Sequence, residues 1–232
     1  MFPFKDNIPT DRFPVVTVLL IAINVAVFIY ELSLGPAVDR FITSYGMTPY
    51  EITQGATVHP KGGIPVYATL ITSMFLHAGW LHIIGNMLFL WIFGNNVEDS
   101  MGRFRFVFFY LMCGLVAGFA QIAIEPQSTI PNVGASGAIA GVLGGYLLLF
   151  PRARVTTLVF LGIFITLIEL PAVVVLLFWF VIQVFSGTAS LYGESAGGGV
   201  AYFAHIGGFV AGLLAIKLFT RGRTKVYAKQ HY

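Results

Sequence analysis

Long apolar stretches alternate with short polar or charged segments along most of the chain. Five stretches are long enough to cross ~30 Å of hydrocarbon as helices, at about 14–31, 82–97, 104–124, 134–150 and 200–219. The region 155–186 is longer, and Glu169 and Pro171 interrupt it. It fits either one span preceded by a piece at the membrane surface, or two spans.

Positive charge decides between these two topologies. With one span at about 171–186, the chain has six helices with both ends in the cytoplasm, and 11 of its 13 basic residues lie in cytoplasmic segments. Only Arg40 and Lys61 then lie outside, which is a strong positive-inside bias. Two spans would place the basic tail 221–229 outside. We therefore predict six helices, with 155–170 near the inner interface.

Composition agrees with a membrane protein. The 232 residues are 57% apolar and 10% charged, with a mean hydropathy of +0.83, whereas soluble domains carry roughly a quarter charged residues. The fold class predicted is an all-α integral membrane protein, a single membrane domain over 1–232. The first apolar run is interpreted as a retained span, because no small-residue cleavage site follows it.

The same composition excludes several partners. The basic residues are scattered at segment ends and form no phosphate-binding patch, so we expect membrane lipid and not nucleic acid as a partner. Cys113 is the only cysteine, which excludes an internal disulfide and a cysteine-based metal site. Its expected role is packing.

Three segments outside the helices matter for the site. The longest polar-leaning stretch is an outer loop at 33–66, and it is followed by an apolar segment at 70–80 that is too short to span and is expected to dip into the outer leaflet. The glycine-containing loop 187–199 is expected to be mobile and to cap a polar cavity.

Four polar side chains are predicted to lie at one depth near the outer surface. The second, fourth and sixth helices all run inward, and Ser136 and His205 lie within about two turns of the outer ends of the fourth and sixth, at ~1.5 Å per residue. His82 and Asn86 are one turn apart on the second helix and share a face. Polar groups from three helices therefore meet at one level.

Small residues allow the fourth and sixth helices to approach closely. Gly137, Gly141 and Gly145 form a ladder on the fourth, and Gly208 and Gly212 lie on the same stripe as His205 on the sixth. In lipid, such ladders let helix backbones touch. The approach would allow a hydrogen bond between Ser136 and His205 at ~2.6–3.2 Å.

This pair predicts nucleophilic catalysis. A serine hydroxyl is a weak nucleophile, and a neutral imidazole can take its proton at physiological pH. The tetrahedral oxyanion needs fixed donors, for which the candidates are the backbone N–H of Ser136, the amide of Asn86 and the ring of His82. No acidic residue lies at this depth, so the prediction is a Ser–His dyad and not a triad.

Plainer interpretations exist for each residue. The small residues around Ser136 are also typical of helix packing, and His205, His82 and Asn86 could serve as interhelical hydrogen-bonding groups. His77 and His82 are five residues apart, which does not fit paired zinc ligands on a helix, and no His-Glu-x-x-His is present. We predict neither a metal nor a cofactor.

Taken together, the motifs resemble those of the rhomboid family of intramembrane serine proteases, over about Thr72 to Phe219. His82-Ile83-Ile84-Gly85-Asn86 is similar to the His-x-x-x-Asn of the family's second helix, and Gly134-Ala135-Ser136-Gly137 to its Gly-x-Ser-Gly nucleophile motif. Ala204-His205 with Gly207-Gly208 is similar to the helix that carries the base. Glu98 with Gly102-Arg103 resembles a structural stretch that leads into the third helix.

The resemblance implies a six-helix rhomboid-like bundle that cleaves transmembrane proteins near their outer ends without a cofactor. Substrates would enter laterally beside the fifth helix, and the active site would lie near the outer face of a prokaryotic plasma membrane. Two features depart from the family. Ala140 stands where some members have a tyrosine that stacks on the histidine, and the outer loop lacks a Trp-Arg pair.

Two other functions compete with the protease. An inactive rhomboid-like protein that binds membrane segments would typically have lost the serine or the histidine, and both are present here. A transporter or channel would need polar residues along the full depth of the bilayer. Here the polar groups cluster near the outer end only, so the protease is favoured.

Overall fold

The computed structural model describes residues 2–59, 61–161, 164–192 and 200–220 and is mostly helical. Its helices are α1 Val15–Ser33, α2 Val38–Tyr45, α3 Pro49–Gln54, α4 Thr69–Thr72, α5 Trp80–Phe89, α6 Asn95–Met101, α7 Arg103–Ile124, α8 Ser136–Leu149, α9 Ala172–Tyr192 and α10 Tyr202–Phe219. Three strands accompany them, β1 Phe2–Asp6, β2 Arg154–Leu161 and β3 Phe164–Pro171.

Several of these helices can cross a membrane. Among the described residues, α1, α7, α9 and α10 are each long and apolar enough, and a fifth span results if the bent pair Val66–Phe75 and Trp80–Met101 is counted as one. The apolar helix α8 is shorter, with 14 residues. The chain therefore has the helices of a multi-pass membrane protein.

The helix α8 occupies the centre of the bundle. Every residue from Ala138 to Tyr146 is buried, and a helix that is apolar all round has to be surrounded by other elements. It packs against α7 and α10. Its surroundings explain how 14 residues can form a stable helix inside the bundle.

The predicted second helix is longer than expected and is not uniform. It begins at Trp80, passes through a π-helical segment at Leu90–Gly94, and continues as α6 to Met101. The segment Val66–Phe75 before it is bent by 80° from it, in the region where the sequence predicts a dipping segment. Gly102 then adopts φ +85°, a conformation that glycine supplies easily, and this turn leads directly into α7.

Glu98 joins this helix to the start of α1. Its carboxylate accepts hydrogen bonds from the backbone N–H groups of Val16 and Thr17, at 3.0 and 2.8 Å, and from the Thr17 hydroxyl at 2.8 Å. The first N–H groups of a helix have no partner inside the helix, and a carboxylate there also suits the helix dipole. Glu98 is buried, so the contact agrees with the structural role expected for it.

The all-α prediction is wrong in one respect, because β1, β2 and β3 form an antiparallel sheet in that order. The region 155–170, predicted as a piece near the inner interface, contributes the antiparallel strands β2 and β3. Its residues are mainly β-branched or large and apolar, as strands favour. From Arg154 to Val159 they alternate between more exposed and buried positions, which is the period of a strand.

The sheet is attached to the bundle through Asp6. The Tyr146 hydroxyl and the side-chain amide of Asn96 both donate hydrogen bonds to its Oδ2, at 2.5 and 2.6 Å. Burial raises the pKa of Asp6 to about 6, although the Tyr146 hydrogen bond opposes the shift. These contacts fix the N-terminal strand against α8 and α6.

The region 33–66, predicted as an outer polar loop, contains the helices α2 and α3. Glu51 accepts hydrogen bonds from the backbone N–H groups of Val58 and His59 and forms an ion pair with Lys61. Burial raises its pKa, but the hydrogen bond from Lys61 and those from the backbone outweigh it, so the pKa of Glu51 lies below its usual range.

We predict that Glu98→Ala destabilises the fold strongly. The change leaves the N–H groups of Val16 and Thr17 without their acceptor in a buried place, and each buried unsatisfied donor costs about 1–3 kcal/mol. Equilibrium unfolding in mixed micelles would measure the loss. Glu169→Ala is the matched control, because Glu169 is exposed. Equal stability of the two variants would contradict the capping role.

Candidate active site

Ser136 and His205 meet at the N-terminal ends of two neighbouring helices. Ser136 is the first residue of α8, and His205 lies in the first turn of α10. The distance from Ser136 Oγ to His205 Nε2 is 2.7 Å, which is a hydrogen bond. The structure therefore contains the contact that the sequence predicts.

Glycines produce this contact by bringing α8 and α10 together. A Cβ atom on Gly208 would overlap the carbonyl oxygen of Gly137, and one on Gly212 would overlap that of Gly141. The predicted ladders thus face each other and their backbones touch. Gly145 differs, because its neighbours are the side chains of Ile216 and Phe109.

The start of α10 has a further support from α7. The buried Gln121 accepts a hydrogen bond from the backbone N–H of Ala204 at 3.2 Å, and its amide nitrogen donates to Glu125 at 2.8 Å. This satisfies one of the free N–H groups at the helix start. Since Ala204 precedes His205, the contact fixes the backbone that carries the histidine.

His82 and Asn86 lie beside the pair, on α5. The side-chain amide nitrogen of Asn86 is buried and has no hydrogen-bond partner among the described residues. His82 approaches Gly134 so closely that a Cβ there would be 2.6 Å from its Nε2. Gly134 has φ +125°, so both its backbone and its surroundings require glycine.

One cavity of about 890 Å³ contains all four side chains. Its other walls come mainly from apolar residues of α5, α8 and the segment 130–133, together with Trp179. A concave, mostly apolar site with a few convergent polar groups is typical of ligand-binding pockets. A second cavity of about 950 Å³ surrounds Arg12, Asp99 and Arg103 at the far end of α6, and no histidine lines it.

Two residues of α9, Gln183 and Trp179, contact His205, and the sequence did not indicate these contacts. The Oε1 atom of Gln183 lies 2.7 Å from His205 Nδ1, and the ring of Trp179 lies 5.8 Å from the imidazole at an angle of 37°. Trp179 also lines the cavity. A lone glutamine in an apolar run, one turn after a tryptophan, was the signal available.

The first part of the predicted capping loop 187–199 is helical. Residues 187–192 belong to α9 and are not a loop, while 193–199 lie outside the described residues.

As for metals, the described part of the chain contains no group of three or more His, Cys, Asp or Glu side chains that could hold an ion.

Comparison with known proteins identifies relatives of this chain. The model of the Rhomboid domain matches residues 66–222. Rhomboid-like protein 11, chloroplastic, of Arabidopsis thaliana is 29% identical over 164 residues, which are 68% of this chain and 54% of that protein. Rhomboid protease GluP of Bacillus subtilis is 32% identical over 136 residues, 58% of this chain and 24% of that protein.

A third relative is Rhomboid protein 1, mitochondrial, of Saccharomyces cerevisiae, which is 30% identical over 146 residues, 61% of this chain and 38% of that protein. The chain thus spans about half or less of the length of these relatives. Two of the three are named as chloroplastic or mitochondrial, so the comparisons do not support the expected prokaryotic plasma membrane.

We predict that Gly212→Ala separates α8 from α10 and disrupts the site from two turns away. The new methyl group would overlap the Gly141 carbonyl, and such overpacking typically costs 1–3 kcal/mol. The melting temperature should fall, and labelling of Ser136 by a fluorophosphonate should slow by about tenfold or more, as 1.4 kcal/mol would give.

Gly85→Ala is the stability control for this experiment. No atom lies within 4 Å of a Cβ built at Gly85, and alanine is favoured over glycine in a helix by ~1 kcal/mol. This variant should be as stable as the unaltered protein or more so. If Gly212→Ala matched it in stability and kept its labelling rate, the close helix contact would not be what forms the site.

Proposed function

Because the chain belongs to the rhomboid family, we propose that it is an intramembrane serine endopeptidase. It hydrolyses peptide bonds in or next to the transmembrane segments of other membrane proteins. The observation that carries the proposal is the 2.7 Å contact between Ser136 Oγ and His205 Nε2, in a cavity that also contains Asn86 and His82. The domain comprises residues 1–232, of which the family match covers 66–222.

Ser136 is the nucleophile and His205 the general base in this proposal. The hydroxyl donates its proton to Nε2 as the oxygen attacks the carbonyl carbon of the substrate. The imidazolium then gives that proton to the departing amine, and the acyl-enzyme forms. A water molecule, activated by the same ring, hydrolyses the ester and regenerates Ser136.

The oxyanion of the intermediate is held by donors that are already in place. The unpartnered amide nitrogen of Asn86 and the free backbone N–H of Ser136 at the start of α8 are two of them. His82 is the third, because its Nδ1 accepts a hydrogen bond from the Ala78 backbone at 3.5 Å. That contact leaves the hydrogen on Nε2, where it can be donated into the cavity.

The proposed topology has six crossings and both ends in the cytoplasm. The distribution of the 13 basic residues supports it, and it places the cavity near the outer face. Substrates are transmembrane proteins that enter beside α9, whose residues Phe178, Val181 and Phe185 are exposed in the structure and would face lipid. Neither a metal nor a cofactor takes part in these steps.

We predict that Ser136→Ala and His205→Ala each abolish cleavage of a single-pass transmembrane substrate in detergent. The first removes the nucleophile and the second the base, and general-base catalysis contributes typically 10²–10⁴-fold. Gel analysis of the cleavage products and the melting temperature of each variant are the measurements. Ser33→Ala is the control, since Ser33 is exposed and bonds only to a carbonyl of its own helix turn.

The alternatives give different results in this experiment. Substrate binding without cleavage, together with no fluorophosphonate labelling of Ser136, would indicate an inactive rhomboid-like protein that binds membrane segments. Cleavage by all variants would point to a contaminating protease and would leave Ser136 and His205 without the assigned roles.

We predict that Asn86→Ala lowers kcat/KM on the order of 10²-fold, the usual loss on removing one oxyanion donor. Asn95→Ala is the matched control, because Asn95 lies on α6 and does not line the cavity. Steady-state kinetics with the same substrate would measure both. An unchanged kcat/KM in Asn86→Ala would show that this amide does not support the oxyanion.

A further inference from the structure

Gln183 is a buried polar residue on α9 whose Oε1 atom lies 2.7 Å from His205 Nδ1. We propose that Gln183 is a positioning residue that keeps His205 in the tautomer with hydrogen on Nδ1, so that Nε2 can accept the proton of Ser136. This inference rests on the proposed protease function and adds a third member to the Ser–His pair.

The atoms in contact determine which nitrogen of His205 carries the hydrogen. An amide oxygen can only accept hydrogen bonds, and a neutral imidazole carries one N–H. The contact with Oε1 therefore requires hydrogen on Nδ1, which leaves the lone pair of Nε2 facing Ser136 Oγ at 2.7 Å. In the other tautomer, Nδ1 would need a donor, and the amide of Gln183 would have to turn over to present its N–H group.

The hydrogen bond between Gln183 and His205 also stabilises the charged imidazolium that forms during catalysis. When His205 takes the proton of Ser136, its Nδ1–H becomes a donor with positive charge, and such hydrogen bonds are roughly twice as strong as neutral ones. A carboxylate in this place would add a charge inside the membrane, which is expensive. A neutral amide orients the His205 ring without the energetic cost of a buried charge.

The position of Gln183 links the base to α9. On α9 three buried residues, Ala172, Val175 and Leu176, lie at the end near β3, whereas only Gln183 and Gly187 are buried in the outer half. At the level of the site, Gln183 and the ring of Trp179 contact His205 itself, while Phe180 stacks on Phe209 and Gly187 faces Tyr202 of α10. Movement of α9 away from α10 would release His205 from both contacts.

The test compares two substitutions at Gln183. Gln183→Leu removes the hydrogen-bond acceptor for His205 Nδ1. We expect kcat to fall by about 10- to 100-fold and KM to stay unchanged. This loss is part of the ~10²–10⁴-fold rate increase that a general base supplies. Gln183→Glu keeps an acceptor oxygen at the same reach and should retain most of the kcat. Ile182→Ala is the control, because Ile182 is the exposed neighbour on the same helix, and it should leave both constants unchanged.

A second readout does not depend on proteolysis. The ¹⁵N chemical shifts of the His205 ring show which nitrogen carries hydrogen, and we expect Nδ1–H in the unaltered protein and a mixture of tautomers in Gln183→Leu. If the leucine variant does not fold, Gln183→Met, which has a similar length and no amide oxygen, takes its place.

The outcomes separate this inference from the protease itself. A tautomer change with loss of kcat, and recovery in Gln183→Glu, would support it. An unchanged tautomer and an unchanged kcat in Gln183→Leu would overturn it. Cleavage that persists in Ser136→Ala would overturn the protease function, while the nitrogen shifts would still decide whether Gln183 sets the tautomer.

Discussion

The backbone contact between α8 and α10 is the constraint on which the site depends. Gly137 faces Gly208 and Gly141 faces Gly212, and neither pair leaves room for a single methyl group. Without a hydrophobic drive between helices in lipid, such packing has to supply the stability of the pair. It also sets the distance between Ser136 and His205, because each lies within a turn of the first glycine pair.

The other parts of the site are arranged around this pair of helices. On one side α5 contributes His82 and Asn86, and on the other side α9 contributes Trp179 and Gln183. The two sides are held differently. The end of the helix that begins with α5 is tied to α1 through Glu98, whereas the outer half of α9 has few buried residues. The helix that carries His82 and Asn86 therefore has a buried anchor at its far end, whereas the part of α9 that contacts His205 has few buried residues.

The hydropathy of the sequence was enough to predict the two helices that carry Ser136 and His205. A helix near 134–150 and one near 200–219, both running inward, place Ser136 and His205 at the same level, and the structure has them in contact. The hairpin of β2 and β3 was missed because a hydropathy window measures apolar content and ignores the alternation from Arg154 to Val159. Gln183 was missed because its partner is 22 residues away, and only the packing of α9 on α10 brings them together.

The separation of the two helices along the chain has a consequence for biosynthesis. Ser136 precedes His205 by 69 residues, and chains are made and folded from the N-terminus onward. Ser136 thus enters the membrane before His205 is synthesised, and under the proposed mechanism it has no base until α10 packs into the glycine contact. The site is therefore completed only when the whole stretch from α8 to α10 has been made and packed, and a chain that ends before α10 has Ser136 without its partner.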